Sequence, residues 1–219
     1  YWDWLQTGRR PDDISWYIKA FTGNDDFVRG EITPAYATLD ERYIRKIYSL
    51  NQDLRIFFIL RNPLERAWSA AQMGLARLQI TREEASDQWF SDVFRSRASL
   101  ARGDYETTLR RWRRLFPAEQ ILILYYEHLK GNPRKLLAET AEHLGVDPVF
   151  FGALPEIEVG RNITPAAVPK YVNYPLTEPF AAELRRLYAD KIASLSSYLH
   201  KDLSGWLDVP VAGPGDGVT

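Results

Sequence analysis

A guanidinium at position 61 and a hydroxyl at position 69 are the pair in this chain best suited to holding an anion. They stand in the segment LRIFFILRNPLERAWSAAQMG, residues 54–74. Arg61 can grip a phosphate through two parallel N–H bonds. Ser69 falls about two turns into the helical pattern that follows and adds a neutral donor. Between them, Asn62 suits a helix cap and Pro63 the first helical position. Free backbone N–H groups at such a helix start point at any anion docked there. Guanidinium, hydroxyl and amides together favour a dianionic phosphate. The same residues also read as an ordinary strand–helix unit whose Arg61 pairs with a carboxylate, and the segment alone leaves both readings open.

The elements that must position this pair can be read from periodicity. Residues 54–60, rich in Ile and Phe, predict a buried parallel strand. Arg61 then sits at its carboxyl end, where open α/β sheets collect ligands. A second buried strand is expected over Ile121 to Tyr125. Tyr105, Leu109, Trp112 and Phe116 recur at helical spacing, and Pro117 should stop that helix. Asn132-Pro133 should open a helix that Gly145 ends. Pro179 to Leu199 predicts a long amphipathic helix, after which Leu203 and Trp206 dock the end of the fold. Val28 to Thr33 is expected as a short strand ended by Pro34. Residues 1–210 are expected to form a single domain, with 211–219 a loose tail.

The run Arg61-Asn62-Pro63-Leu64-Glu65-Arg66-Ala67-Trp68-Ser69 resembles the 3′-phosphate-binding element of sulfotransferases that use 3′-phosphoadenylyl sulfate (PAPS). Arg29-Gly30-Glu31-Ile32-Thr33-Pro34-Ala35-Tyr36 resembles the family's Gly-Glu-x-[Ser/Thr]-Pro-x-Tyr block, which lies beside the acceptor cleft. Leu100 to Val146 matches over its whole length, and the terminal helix with Leu203-Ser204-Gly205-Trp206 also matches. The resemblance implies an α/β, P-loop-NTPase-like three-layer fold with a central parallel sheet flanked by helices. It implies that Arg61 and Ser69 hold the nucleotide's 3′-phosphate, and that Gly160 and Arg161 belong to a loop closing over the phosphates. Thr33 and Tyr36 would line the acceptor side. The implied chemistry is transfer of a sulfuryl group from PAPS to a hydroxyl or amine of a carbohydrate or small molecule, with no metal. Heparan-type members often carry Lys where Ile32 stands, which argues against a polyanionic sugar acceptor.

Such enzymes also open with a first strand and a Lys-x-Gly-Thr-[Ser/Thr] loop, which the chain does not contain. Tyr1-Trp2-Asp3 looks like the end of the family's next motif, Lys-Glu-x-x-[Phe/Tyr]-[Phe/Trp]-Asp, whose Glu serves as the base. The expectation is that a few dozen family residues precede Tyr1, and that Asp3 is the catalytic candidate left in view.

Composition narrows the remaining options. The 28 basic and 29 acidic residues nearly cancel, so no global attraction to nucleic acid or an anionic membrane is expected. The run Arg110, Arg111, Arg113 and Arg114 is expected to be a solvated helix face. Cys is absent, and the three His residues have no metal-ligand spacing. No apolar run approaches the roughly 18 residues of a membrane span, and a cytoplasmic location is expected. The alternative to an active transferase is a catalytically inactive nucleotide-binding or interaction module on the same fold. A P-loop kinase would need Gly-x-x-x-x-Gly-Lys-[Ser/Thr], which the chain lacks.

Overall fold

A computed structural model describes residues 1–23, 27–155, 159 and 174–212. The chain divides into two compact units, Tyr1–Leu60 with Thr107–Gly160, and Arg61–Glu106 with Arg161–Thr219. Gly160, Arg161 and most of the expected tail lie outside the described residues.

The first unit is built on two parallel strands, β1 (Ile56–Leu60) and β2 (Ile121–Tyr125), with Ile56 opposite Ile121 and Leu60 opposite Tyr125. The β-branched and aromatic residues expected in these strands are there, and the parallel pairing is the one predicted. Burial of β1 is less complete than its composition suggests. Leu60 is buried, but Ile59 is exposed.

Three helices open this unit: α1 (Trp2–Gln6), α2 (Ile14–Lys19) and α3 (Glu41–Leu50). After β1 the chain runs through the second unit as α4 (Pro63–Leu78), α5 (Asp87–Arg95) and α6 (Arg97–Arg102). Helix α7 (Tyr105–Arg113) carries it back, and α8 (Tyr126–Gly131), α9 (Pro133–Leu144) and α10 (Val149–Ala153) follow β2. Asn132 caps α9 by accepting from the Lys135 N–H at 3.1 Å, and Gly145 ends it at φ 72°, a left-handed turn that suits glycine. Trp112 packs edge-on to Phe58 of β1 and lies over Phe116. Leu39, Ile44, Leu109 and Leu124 fill the same core.

The structure departs from expectation in this unit at three places. Residues 27–33 form no strand; a 3-10 turn, Pro34–Thr38, follows them directly. Their side chains at Phe27, Val28 and Ile32 are exposed, so the alternation had no buried face to serve. The basic run is a solvated face only in part: Arg110 and Arg114 are exposed, while Arg111 and Arg113 are half-buried. Arg111 donates to the Leu39 carbonyl at 2.6 Å and Arg114 to Glu41 at 2.8 Å, so the arginines tie α7 to the 3-10 turn and α3. Helix α7 ends at Arg113, four residues before the proline expected to stop it.

The second unit packs α4 and α5 against the long helix α11 (Glu178–Leu199). Trp68, Phe90, Phe94 and Phe180 form its aromatic core, with ring centroids 5.0 to 6.3 Å apart. The Arg82 guanidinium lies 4.6 Å from the Phe90 ring and 5.1 Å from Phe180, closing the cluster with a cation–π contact. Glu183, buried on α11, accepts from Ser91 at 2.7 Å and Arg95 at 2.6 Å. Among the described residues, no helix is long and apolar enough to cross a membrane.

Burial alone would raise the Glu183 carboxyl, but the hydrogen bonds from Ser91 and Arg95 outweigh it and hold the group below its ordinary 4.5. A depressed carboxylate adds stability above its unfolded value and loses it as pH falls through the lower folded value. Chemical denaturation from pH 6 downward should therefore show a shallower acid loss in Glu183→Gln than in the parent. An unchanged pH profile would remove this pair from the account. Gly103 is the second test. A Cβ there would stand 2.4 Å from Cε1 of the fully buried Tyr188. Gly103→Ala should cost about 1–3 kcal/mol in denaturant unfolding, the usual cost of overpacking.

Candidate functional site

Arg61 is the first residue after β1, and its backbone is fixed before its side chain is considered. The Tyr105 hydroxyl donates to the Arg61 carbonyl at 2.8 Å. Asn62 is 5% exposed and uses both ends of its amide. Its Oδ1 accepts from the Leu64 N–H at 2.9 Å, and its Nδ2 donates to the Trp206 carbonyl at 2.8 Å. Helix α4 thus starts where the sequence placed it, with Pro63 first, and is tied at that start to the 3-10 turn Ser204–Leu207.

The helix start offers fewer donors than expected. Pro63 has no N–H, Asn62 takes the Leu64 N–H, and the Arg66 N–H bonds back to the Asn62 carbonyl at 2.9 Å. Of the three N–H groups at the first four positions, only that of Glu65 has neither kind of partner among the described residues. Recognition of an anion here falls to side chains.

Those side chains share one helix face. The Arg61 Nε lies 3.5 Å from Glu65 Oε2, with the two side chains 29% and 35% exposed. Glu65 and Ser69 are four residues apart on α4, so they are vertical neighbours. Arg61, Glu65 and Ser69 therefore line one stripe, half-open to solvent. The carboxylate pairing that the segment left open is present, and the guanidinium that makes it remains accessible.

Residue 66 was read as part of the motif and given no task. Its Nη2 donates to the Ser99 carbonyl at 2.9 Å, to Ser99 Oγ at 3.3 Å and to the Tyr188 hydroxyl at 3.0 Å. Burial pushes the Tyr105 phenol up to about 12, while the Arg66 charge pulls it down.

The acceptor-side candidates form a separate cluster in the first unit. The Tyr36 hydroxyl accepts from the Trp2 N–H at 3.3 Å and donates to Glu31 Oε2 at 3.0 Å. Thr33 Oγ1 donates to the same oxygen at 3.3 Å, and the Tyr17 hydroxyl donates to Oε1. Thr33 and Tyr36 are thus brought together by Glu31, an exposed carboxylate that the reading of single residues passed over. Burial raises the Tyr17 and Tyr36 phenols above their ordinary range, and the Glu31 charge adds to this, so both stay protonated donors at neutral pH. Tyr17 stacks on Tyr1 at 4.7 Å and meets Trp2 edge-on at 5.3 Å. Asp3 stands on α1, and none of the hydrogen bonds gathered at Glu31 involves it.

Asn62→Ala removes the cap and frees the Trp206 carbonyl. It should cost about 1–3 kcal/mol in denaturant unfolding, whereas an exposed cap alone costs nearer 1. A loss under 0.5 kcal/mol, by the same scale, would show that the amide is not the joint described.

Comparison with known proteins now adds to this geometry. The family model described as the sulfotransferase domain matches residues 35–151. No curated protein matches the chain. Among solved structures, the crystal structure of a sulfotransferase from Alicyclobacillus acidocaldarius superposes with a TM-score of 0.59 at 22% identity, covering 89% of this chain and 74% of that one. The likeness extends the parallel α/β fold beyond the span of the family match.

Proposed function

The chain belongs to the sulfotransferase domain family, and from that premise we propose that it takes a sulfuryl group from PAPS to a hydroxyl or amine of a small-molecule or carbohydrate acceptor. The observation that carries the reading is the stripe of Arg61, Glu65 and Ser69 along the start of α4, half-open and aligned by Asn62. Arg61 and Ser69 take the donor's 3′-phosphate. Glu65 holds the guanidinium over the helix start until the phosphate replaces it. A dianion bound bidentately gains more from Arg61 than one carboxylate oxygen at 3.5 Å does.

PAPS supplies the activated sulfuryl group, with adenosine 3′,5′-bisphosphate as the leaving nucleotide. The residues of this chain bind and orient. Gly160 and Arg161 keep the role of a loop over the phosphates. Glu31 fixes Thr33 and Tyr36 as an ordered set of hydroxyls on the acceptor side. Asp3 is assigned to orienting the acceptor hydroxyl. Ile32 is 82% exposed, and an apolar side chain there favours an uncharged acceptor over a polyanionic sugar.

Arg61→Ala should weaken binding of adenosine 3′,5′-bisphosphate by about 1.5–3 kcal/mol, the usual worth of a charge-assisted contact, and Ser69→Ala by about 0.5–1.5. Calorimetry checks both values. Unchanged affinity in Arg61→Ala would end the assignment. Incubation with radiolabelled PAPS and a pool of hydroxylated acceptors separates transfer from binding alone; nucleotide binding with no labelled acceptor would favour the inactive-module reading.

A further inference from the structure

Among the described residues, Arg66 carries a charge with no carboxylate partner. Its guanidinium faces two hydroxyls and a carbonyl, from Ser99 and Tyr188. All three contacts use one nitrogen, and its Nε is buried with no acceptor. A half-buried cation and an orphan buried donor are both costly unless another group offsets them. Four other cations of this unit show the usual arrangement, a cation with a carboxylate partner. Arg82 pairs with Asp87, Arg95 with Glu183, Arg185 with Glu178 and Lys191 with Asp104.

Position decides what the missing anion is. Arg66 is three residues before Ser69 and so is its neighbour on the helix surface. Its N–H bonds to the carbonyl of Asn62, the residue after Arg61. Its charge is felt at the Tyr105 hydroxyl, which rests on the Arg61 carbonyl. Around it the packing is rigid, since Tyr188 is fully buried against the bare face of Gly103. The guanidinium cannot easily swing away to find water.

We propose that Arg66 is an electrostatic positioning residue for the nucleotide's 3′-phosphate: a fixed cation, about one helical turn before Ser69, whose counter-charge arrives with the ligand. It touches no ligand atom. This rests on the reading of Arg61 and Ser69 as the 3′-phosphate site. It predicts that the preference for a 3′-phosphorylated nucleotide depends on the charge at 66 and not on its hydrogen bonds.

The test compares adenosine 3′,5′-bisphosphate with adenosine 5′-monophosphate by calorimetry, in Arg66→Gln, Arg66→Lys and Ser99→Asp. Arg66→Gln removes the charge and should weaken the bisphosphate by about tenfold, the scale of one screened charge acting on a dianion a turn away, with the monophosphate unaffected. Arg66→Lys keeps the charge and should keep most of the preference. Ser99→Asp leaves Arg66 in place and sets a carboxylate beside it, in the first turn of α6 where an acid is tolerated, and should lose the preference as Gln does. That variant decides the matter should Arg66→Gln fail to fold. An equal loss for both nucleotides, a Lys variant as weak as Gln, or an undiminished preference in Ser99→Asp would overturn the proposal. Arg61→Ala separates the two claims. If it leaves bisphosphate affinity intact, the site itself is wrong; if it weakens binding while the Arg66 and Ser99 variants do not, only the role of Arg66 falls.

Discussion

One buried amide governs this structure. Where β1 ends, the chain must leave an extended conformation, start a helix and present Arg61 outward within a few residues. Each change of direction exposes backbone groups that a buried segment cannot leave unpaired. Asn62 meets the demand from both ends, taking the Leu64 N–H and giving its own N–H to the Trp206 carbonyl. Tyr105 completes the joint by satisfying the Arg61 carbonyl. The aim of α4, and with it the stripe of Arg61, Glu65 and Ser69, follows from these bonds.

Local signals made much of this legible. Asn-Pro before an apolar periodic run foretold both capped helices, and Gly145 foretold the end of α9, because each acts within a turn of itself. The strand over Ile121 to Tyr125 was legible for the same reason, as a short β-branched run between breakers. The failures share the opposite property. Val28 to Thr33 alternates like a strand, but pairing needs a partner that only tertiary structure supplies. Arg111 and Arg114 read as a solvated run, yet the carbonyl of Leu39 and the carboxylate of Glu41, some seventy positions earlier in the chain, accept from them.

Glu31 and Arg66 show where single-residue reading stops. Both lie inside recognised motifs, and neither had an assigned task. The donors to Glu31 come from two, five and fourteen positions away, a spacing with no helical or strand period. Two of its three hydroxyls lie in the same block, so a carboxylate flanked by Thr and Tyr was the available signal. The neighbours of Arg66 come from α6 and α11, and nothing local announces them. What a motif conveys most directly is the residues that touch a ligand. The residues that hold those in place, or set their field, become visible only through partners and through missing partners.

The contrast between Glu65 and Arg66 bears on how such a site is tuned. Adjacent on α4, they point to different faces: one carboxylate paired to Arg61 near solvent, one cation turned inward with no carboxylate beside it among the described residues. The exposed pair is worth little in stability and exchanges readily, which suits a placeholder. The inward cation is held in a setting where solvent screens it less, so its field reaches further than that of a surface lysine. On the proposed reading, placing the exchangeable charge outside and the fixed charge inside would keep an attraction for a dianion without burying an ion pair. The reverse order would bury the ion pair and leave its net field close to zero.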